Sequence, residues 1–369
     1  MGSRLDKISI SGFKSIRALK DFDLRNLNIM VGANGAGKSN FVSFFRMLRA
    51  MSEEGLENFV TENGGADGFF FGGPKETPQI EAHLRFALNE YKFTLAPTAA
   101  VKLMVKQERT LYTLGGGWVY HGGGGFEAKL KRWKGRKSGC GWRLGVGSYI
   151  YNAVSSWLVY HFHDTSMTAP MRRDQSVRDW RELNPDASNI AAFLLRLKKS
   201  HEEHYQKIRE TIHLVAPFLD DFLLEPEQKG ENEVVRLEWR QKGSSYPYQP
   251  WQLSDGTIRF ICLVTALLQP LPPSTVVIDE PELGLHPFAL EVLAGLFHDV
   301  AGRTQLVVST QSATLLNHFE PEEIIVVDRV EGASRFRRLD PESLVEWLKD
   351  YSLGELWQKN VFDGGPSFE

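Results

Sequence analysis

Hydrophobic and polar positions along the chain fall into short segments with distinct periods. Residues 5 to 31 predict three strands. Leu5 to Ile10 alternates, Ile16 to Leu19 follows a Gly-Phe-Lys-Ser turn, and Leu27 to Val31 runs into a glycine-rich loop. From Asn40 to Leu48 the apolar residues recur at helical spacing. Loops are marked by Glu62-Asn63-Gly64-Gly65 and Phe71-Gly72-Gly73-Pro74. Residues 79–96 and 101–114 alternate as a β-meander does. Trp157 to Asp164 predicts a strand with His161 and His163 on one face. Helical periodicity returns over 188–218, carried by Ile190, Phe193, Leu194, Leu197, Ile208, Ile212, Leu214 and Val215. Val234 to Trp239 reads as strand and Ile258 to Leu268 as helix. Thr275 to Glu280 reads as a buried parallel strand ending in two acids.

The glycine-rich loop carries the chemistry. Gly32-Ala33-Asn34-Gly35-Ala36-Gly37-Lys38-Ser39 fits G-x-x-x-x-G-K-[ST], and it stands between a strand and a helix start, the context this motif requires. Glycines let backbone N–H groups turn inward around a phosphate, and the helix N-terminus adds unpaired donors. Lys38 would reach the β- and γ-phosphates of ATP, and the Ser39 hydroxyl would face Mg²⁺. The candidate nucleotide-binding set in this loop is Asn34, Gly35, Gly37, Lys38, Ser39 and Asn40. An unliganded glycine turn is the plain alternative, and the flanking strand and helix argue against it. Asp279 can hold Mg²⁺ directly or through water, and Glu280 can polarise a water in line with the γ-phosphate.

The chain has 369 residues, about two domain-sized units, with 42% hydrophobic residues and a net charge of -3. That balance decides nothing about nucleic acid, because a local basic patch fits within it. Two cysteines, Cys140 and Cys262, lie far apart without metal-ligand spacing and suit a reducing cytoplasm. No apolar run approaches the roughly 20 residues that cross a bilayer, and no signal-peptide core follows the early charges Arg4 and Asp6. A cytoplasmic protein without a membrane partner is expected.

Residues 115–147 differ from their surroundings, with glycine clusters and the basic run Lys129 to Lys137. Lys131, Arg132, Trp133 and Lys134 offer cations around an aromatic, which can grip a nucleic-acid backbone and stack a base. A solvated loop kept soluble by its lysines is the plainer reading and is favoured, since charge runs are common. His161 and His163 have the i, i+2 spacing of metal ligands, yet a partly buried structural pair is favoured because no acidic partner but Asp164 is evident. His201 and His204 lie on a polar helix and read as a solvated face. Gln79 is a weak candidate for a magnesium-sensing glutamine.

Gln252-Leu253-Ser254-Asp255-Gly256-Thr257 precedes a helix that Ser254 can cap, which makes its start an anion site. Leu-Ser-Asp-Gly-Thr shortly ahead of Val-Val-Ile-Asp-Glu resembles the signature of ABC-type ATPases, closest to the SMC-like, RecF-like and OLD-like branch of DNA repair and prokaryotic defence. Pro281-Glu282-Leu283-Gly284-Leu285-His286-Pro287 resembles the dimer-facing D-loop of that branch. Gln305 to Ser312 resembles its switch strand, with Gln311 where most relatives have a histidine against the γ-phosphate. Gly12-Phe13-Lys14-Ser15 is also similar. The resemblance covers residues 1 to about 95 and 250–330.

The resemblance implies an α/β P-loop ATPase head with an inserted lobe. Residues 1–96 and 251–335 would form the head, 97–250 a β-rich then helical insertion, and 336–369 a tail. It implies that two heads sandwich two ATPs, with Ser254, Asp255 and Gly256 of one copy capping nucleotide held by the other. Glu280 and Gln311 would be the catalytic pair, and Ser39 and Asp279 the Mg²⁺ ligands. The expected function is a dimerising Mg-dependent ATPase in DNA maintenance or anti-phage defence, working with a separate effector, since relatives' nuclease domain finds no room after Arg329. A nucleotide-gated scaffold that binds ATP with little turnover and holds or releases a nuclease or toxin partner is the alternative, motivated by Gln311 and by the missing effector domain. A membrane-transporter motor is disfavoured by Asp255, where transporters carry glycine, and by the long insertion.

Overall fold

The computed structural model describes residues 4–137 and 145–365, so Cys140 lies outside the described residues. The chain opens with β1 (Lys7–Phe13), β2 (Ile16–Asp23), β3 (Leu27–Val31), α1 (Lys38–Glu53) and α2 (Leu56–Glu62). A meander follows, β4 (Ile80–Phe86), β5 (Asn89–Pro97), β6 (Leu103–Tyr112) and β7 (Val119–Gly122); α3 (Val146–Ser155) then leads into β8 (Leu158–Tyr160). Next come β9 (Gln175–Ser176), α4 (Ile190–Ser200) and α5 (Glu202–Val215). Short strands β10 (Leu219–Leu223), β11 (Glu227–Lys229), β12 (Asn232–Val235), β13 (Glu238–Gln241) and β14 (Pro247–Tyr248) complete the middle. The last third contains α6 (Asp255–Leu268), β15 (Thr275–Asp279), α7 (Pro287–Ala301), β16 (Gln305–Thr310) and α8 (Ala313–Leu316). It ends with β17 (Ile324–Val330), β18 (Ala333–Arg338) and α9 (Leu353–Gln358).

Among the described residues the principal sheet has the order β18-β17-β3-β16-β15-β8, parallel except for β18 at one edge. Every residue of β3, β15 and β16 is buried, because both faces of this sheet are covered. Their alternate positions feed two separate cores. Ile29, Ile278 and Val308 enter one with α6 and α7. Met30, Val277 and Val307 enter the other with α1 and the meander. This two-sided burial is why the three strands read as nearly continuous apolar runs rather than as alternation.

The second large sheet, β2-β1-β4-β5-β6-β7, is antiparallel throughout. Helix α1 is bound to it by Phe44, whose ring lies 5.2 Å from Phe13 and 6.4 Å from Phe93. Phe45 meets Trp157 at 5.1 Å, just ahead of β8. Each such fully buried phenylalanine contributes about 1.5–3 kcal/mol of transfer free energy. Helix α1 is therefore held on both sides, and the loop before it has a fixed platform.

Parallel register brings the site together. Val31 pairs with Thr310, Asp279 with Ser309, and Tyr160 with Ile278, so the carboxyl ends of β3, β16, β15 and β8 lie along one edge. Ligands bind at that edge in open α/β sheets.

The mixed α/β class follows expectation, but the middle of the chain is distributed differently. Where the motif spacing predicts one inserted lobe over 97–250, β6 and β7 extend the antiparallel sheet and β8 is an edge strand of the principal sheet. β9 to β14 make two three-stranded sheets, β10-β13-β14 and β11-β12-β9. The strand expected over Val234–Trp239 is split between them, because the chain changes sheet at Arg236 and Leu237.

Candidate nucleotide site

The loop between β3 and α1 depends on glycine at specific points. Gly35 and Gly37 have φ of 80° and 116°, a left-handed region costly for other residues. A Cβ on Gly37 would also lie 2.8 Å from Ser15 Oγ and closer still to Ser334 Oγ. Those two hydroxyls are the floor of the loop. Ser334 Oγ donates to Ala36 O at 2.6 Å, Ser15 and Ser334 hydroxyls are 2.6 Å apart, and Asn40 Nδ2 donates to Ser15 Oγ at 2.7 Å. The Gly12–Ser15 turn thus braces the loop, and the Asn40 side chain is used in that brace. Asn34, Gly35 and Ser39 are exposed.

Lys38 Nζ donates to Gly32 O at 2.6 Å and Ala33 O at 3.1 Å, so its ammonium rests on carbonyls of its own loop. Burial lowers the Lys38 pKa, while the charges of Glu280, Asp279 and Glu282 oppose that shift. The three acids are thus close enough for their charges to act on the Lys38 ammonium. Asp279 is buried at the end of β15, where Ser309 Oγ donates to its Oδ1. Glu280 has a left-handed φ of 48°, and its N–H donates to Ser309 O at 2.9 Å. Gln311 Nε2 donates to Glu280 Oε1, and the Gln311 N–H donates to Glu282 Oε1 at 2.7 Å. Burial raises the carboxyl pKa of Glu282.

The signature segment is a separate surface. Ser254 caps α6, accepting from Thr257 N–H at 3.1 Å, and stays exposed with Asp255. Asp255 Oδ1 meets the buried Arg172 guanidinium at 2.9 Å; that guanidinium also donates to Thr165 O at 2.9 Å and Leu253 O at 3.1 Å. Gly256 packs on the backbone of Gly284, where a Cβ would collide with the carbonyl. One turn on, Arg259 donates to Phe162 O at 2.8 Å, to His163 O at 3.2 Å and to Leu283 O. It ties the start of α6 to the 281–287 turn and to the end of β8.

A family model described as "AAA domain, putative AbiEii toxin, Type IV TA system" matches residues 126–317, just over half of the chain. The chain belongs to this AAA family. No curated protein matches it. Among solved structures it is similar to an SMC head bound to the C-terminal winged-helix domain of ScpA. That match has 16% identity and a TM-score of 0.56, covering 93% of this chain and 99% of the other. It is also similar to an SMC head with an extended coiled coil bound to the C-terminal domain of ScpA, derived from Pyrococcus furiosus. The identity there is 15% and the TM-score 0.54, over 94% of this chain and 99% of the other. At such identity the likeness shows the fold, that of an SMC-type ATPase head, which the signature and acidic-strand motifs led us to expect.

Two readings of this AAA-family chain change with the structure. Trp133 is buried, its ring 4.5 Å from His121 and 5.8 Å from Tyr91, so it has no face for a base. Its segment is a short 3-10 helix, which turns Leu130 and Trp133 inward together. Lys131 and Arg132 lie 3.6 and 3.9 Å from Glu54, and Lys134 sits over Tyr151. The plainer reading of that run, a supported surface loop, describes it; base stacking on Trp133 does not. No helix among the described residues is long and apolar enough to cross a membrane.

The second change concerns the histidines. His161 and His163 leave β8 beside the end of β15. His161 Nδ1 is 4.0 Å from Asp279 Oδ2, and His163 Nε2 is 3.1 Å from Asp279 O and 3.9 Å from Glu280 Oε2. Their rings are 3.8 Å apart. Burial, then His163 and Arg46, push the His161 pKa down to about 4, against the opposing charge of Asp279. The i, i+2 spacing was the visible signal. The partner was hidden because Asp279 lies over a hundred residues away and meets them only through β8–β15 pairing. The Ser39 hydroxyl and the Asp279 carboxylate are oxygen donors of the kind that Mg²⁺ takes. Gln79 instead accepts from Lys106 at 3.1 Å at the start of the meander.

Proposed function

We propose that the chain is a Mg-dependent ATPase whose two copies close head to head around ATP. One observation carries this. The buried Lys38 ammonium lies within the field of Asp279, Glu280 and Glu282, at the edge where a glycine loop and a helix N-terminus converge. A phosphate chain is the ligand that uses inward N–H groups, an ammonium and carboxylate-held metal at once. Magnesium, which Ser39 and Asp279 would hold, would supply charge neutralisation at the terminal phosphate. Lys38 turns from Gly32 and Ala33 toward phosphate oxygens. Ser39 and Asp279 present their oxygens to the cation. Glu280 takes a proton from the attacking water as the water oxygen bonds to phosphorus and the bond to ADP breaks.

The exposed Ser254 and Asp255 support the two-copy arrangement, since they leave the start of α6 open to solvent where a second head can bring its nucleotide. Residues 1–96 and 251–335 supply the motifs of this head. The solved SMC heads carry ScpA domains, so a protein partner on the head is part of the proposal, as is a separate effector in anti-phage defence or DNA maintenance.

The test is phosphate release from Mg-ATP by the full chain and by Lys38→Ala, with ATP affinity measured alongside. Turnover and affinity should both fall in the variant. Absence of ATP binding by the wild type refutes the reading. The scaffold reading has its own support in the Gln311 amide, a neutral donor that occupies the Glu280 carboxylate. ATP binding without measurable turnover would favour it.

A further inference from the structure

We propose that His161, His163 and Asp279 form a cation site that accepts imidazole nitrogen, and that it takes a borderline divalent ion of the manganese, cobalt or zinc class. This ion is additional to the Mg²⁺ of the nucleotide-site reading, with Asp279 common to both, and the proposal rests on that reading only for its place in catalysis.

Three observations carry it. The donor atoms of these residues all lie within 4.8 Å of one another, with His161 Nδ1 and Asp279 Oδ2 at 4.0 Å. In a site with bonds of about 2.1 Å, neighbouring donors stand roughly 3.0–3.4 Å apart, so the His161–Asp279 pair must close by up to about 1 Å and the widest pair by up to about 1.4–1.8 Å. His161 Nδ1 is buried and has no hydrogen-bond partner, which is costly for a ring nitrogen unless something else occupies it. The surroundings also hold the donors in place. Ser309 Oγ occupies Asp279 Oδ1 and leaves Oδ2 turned to His161. Arg259 fixes the backbone on either side by donating to Phe162 O and His163 O. Such outer contacts are what orient ligands at metal centres.

The chemistry separates this site from one for Mg²⁺ alone. Magnesium takes oxygen donors at near-octahedral geometry, whereas imidazole suits later first-row ions. Glu280 Oε2, 3.9 Å from His163 Nε2, is a fourth donor within reach. The Arg46 guanidinium on α1 acts on Asp279 through its charge and so competes with a bound cation for that carboxylate.

The experiment is a Co²⁺ titration of the nucleotide-free full chain, followed by visible absorption. Saturable bands with one ion per chain are expected, displaced by Zn²⁺ and not by millimolar Mg²⁺. His161→Gln and His163→Gln should each weaken Co²⁺ binding by roughly ten- to a hundred-fold. Circular dichroism melts of both variants separate ligand loss from unfolding. Absence of bands, displacement by Mg²⁺, or equal affinity in folded His161→Gln and His163→Gln would overturn the proposal. Because ATP is absent throughout, these outcomes are independent of whether the chain hydrolyses nucleotide. Lys38→Ala, whose change lies in the phosphate loop, should keep its Co²⁺ bands while losing ATP.

Discussion

Gly256→Ala separates nucleotide binding from closure. An added Cβ would lie 3.1 Å from the carbonyl carbon of Gly284 and closer still to its oxygen. Both groups are backbone, so neither can swing aside, and the 281–287 turn must retreat by roughly 1 Å to reach ordinary contact. Arg259 resists that movement because it holds Leu283 O together with Phe162 O. Overpacking of this kind costs about 1–3 kcal/mol. The phosphate loop is braced by Ser15, Ser334 and Asn40 instead, so ATP affinity should change less than three-fold. A 1 Å displacement of the signature relative to the partner's nucleotide should lower turnover by about a hundred-fold. Paired measurements of fluorescent-ATP affinity and phosphate release, with thermal melts as control, decide the matter. Equal losses of affinity and turnover, or no loss of either, would refute the assignment of Gly256 to closure.

Gly37→Ala forces a non-glycine residue to a φ of 116° and into Ser15 and Ser334. It should cost about 1–3 kcal/mol locally and reduce ATP affinity by ten-fold or more while the fold persists; wild-type affinity by calorimetry would contradict the loop geometry. Glu108 is buried, accepts from Tyr91 Oη at 2.7 Å and Lys129 N–H at 2.9 Å, and burial raises its pKa. The folded protein therefore keeps that proton to higher pH than the unfolded chain. The associated stability is complete below the unfolded carboxylate pKa and declines as pH rises toward the folded one. Glu108→Gln should accordingly gain in melting temperature relative to wild type as pH rises above the ordinary carboxylate value of 4.5, and a pH-independent gap would contradict this. His161 has the opposite linkage. With its folded pKa near 4, below the usual 6.5, it costs stability as pH falls through 6.5 toward 4, and His161→Gln should flatten that part of the melting profile.

Much of the site was legible because its residues sit where local patterns are strongest. The loop from Gly32 to Ser39 announces itself by composition between an apolar strand and an amphipathic helix. Asp279 and Glu280 do so as acids closing an apolar run. Ser254 is a recognisable cap. The remainder depends on sheet order, which no local window contains. β8 is three residues long, and nothing within it says that it pairs with β15; without that pairing, His161 and His163 look like an ordinary strand pair. Arg172 and Arg259 hold the signature through backbone carbonyls far away in sequence, and carbonyls leave no trace in composition. Ser15 and Ser334 meet under the loop only because β18 folds back beside β17. Trp133 shows the converse. A tryptophan among lysines reads as exposed, yet a 3-10 turn places it in the core with the cations outside.

The central claim is that one copy's α6 start completes the nucleotide pocket of another. Glu280→Gln keeps the shape of the carboxylate side chain but cannot take the water's proton. With ATP and Mg²⁺ it should therefore accumulate in the closed, loaded state. The most direct measurement is the solution mass of this variant by light scattering, with and without Mg-ATP. A dimer that forms only with nucleotide, and is lost when Ser254→Arg is added, is the predicted result. A variant that binds ATP tightly and remains a monomer would contradict the account.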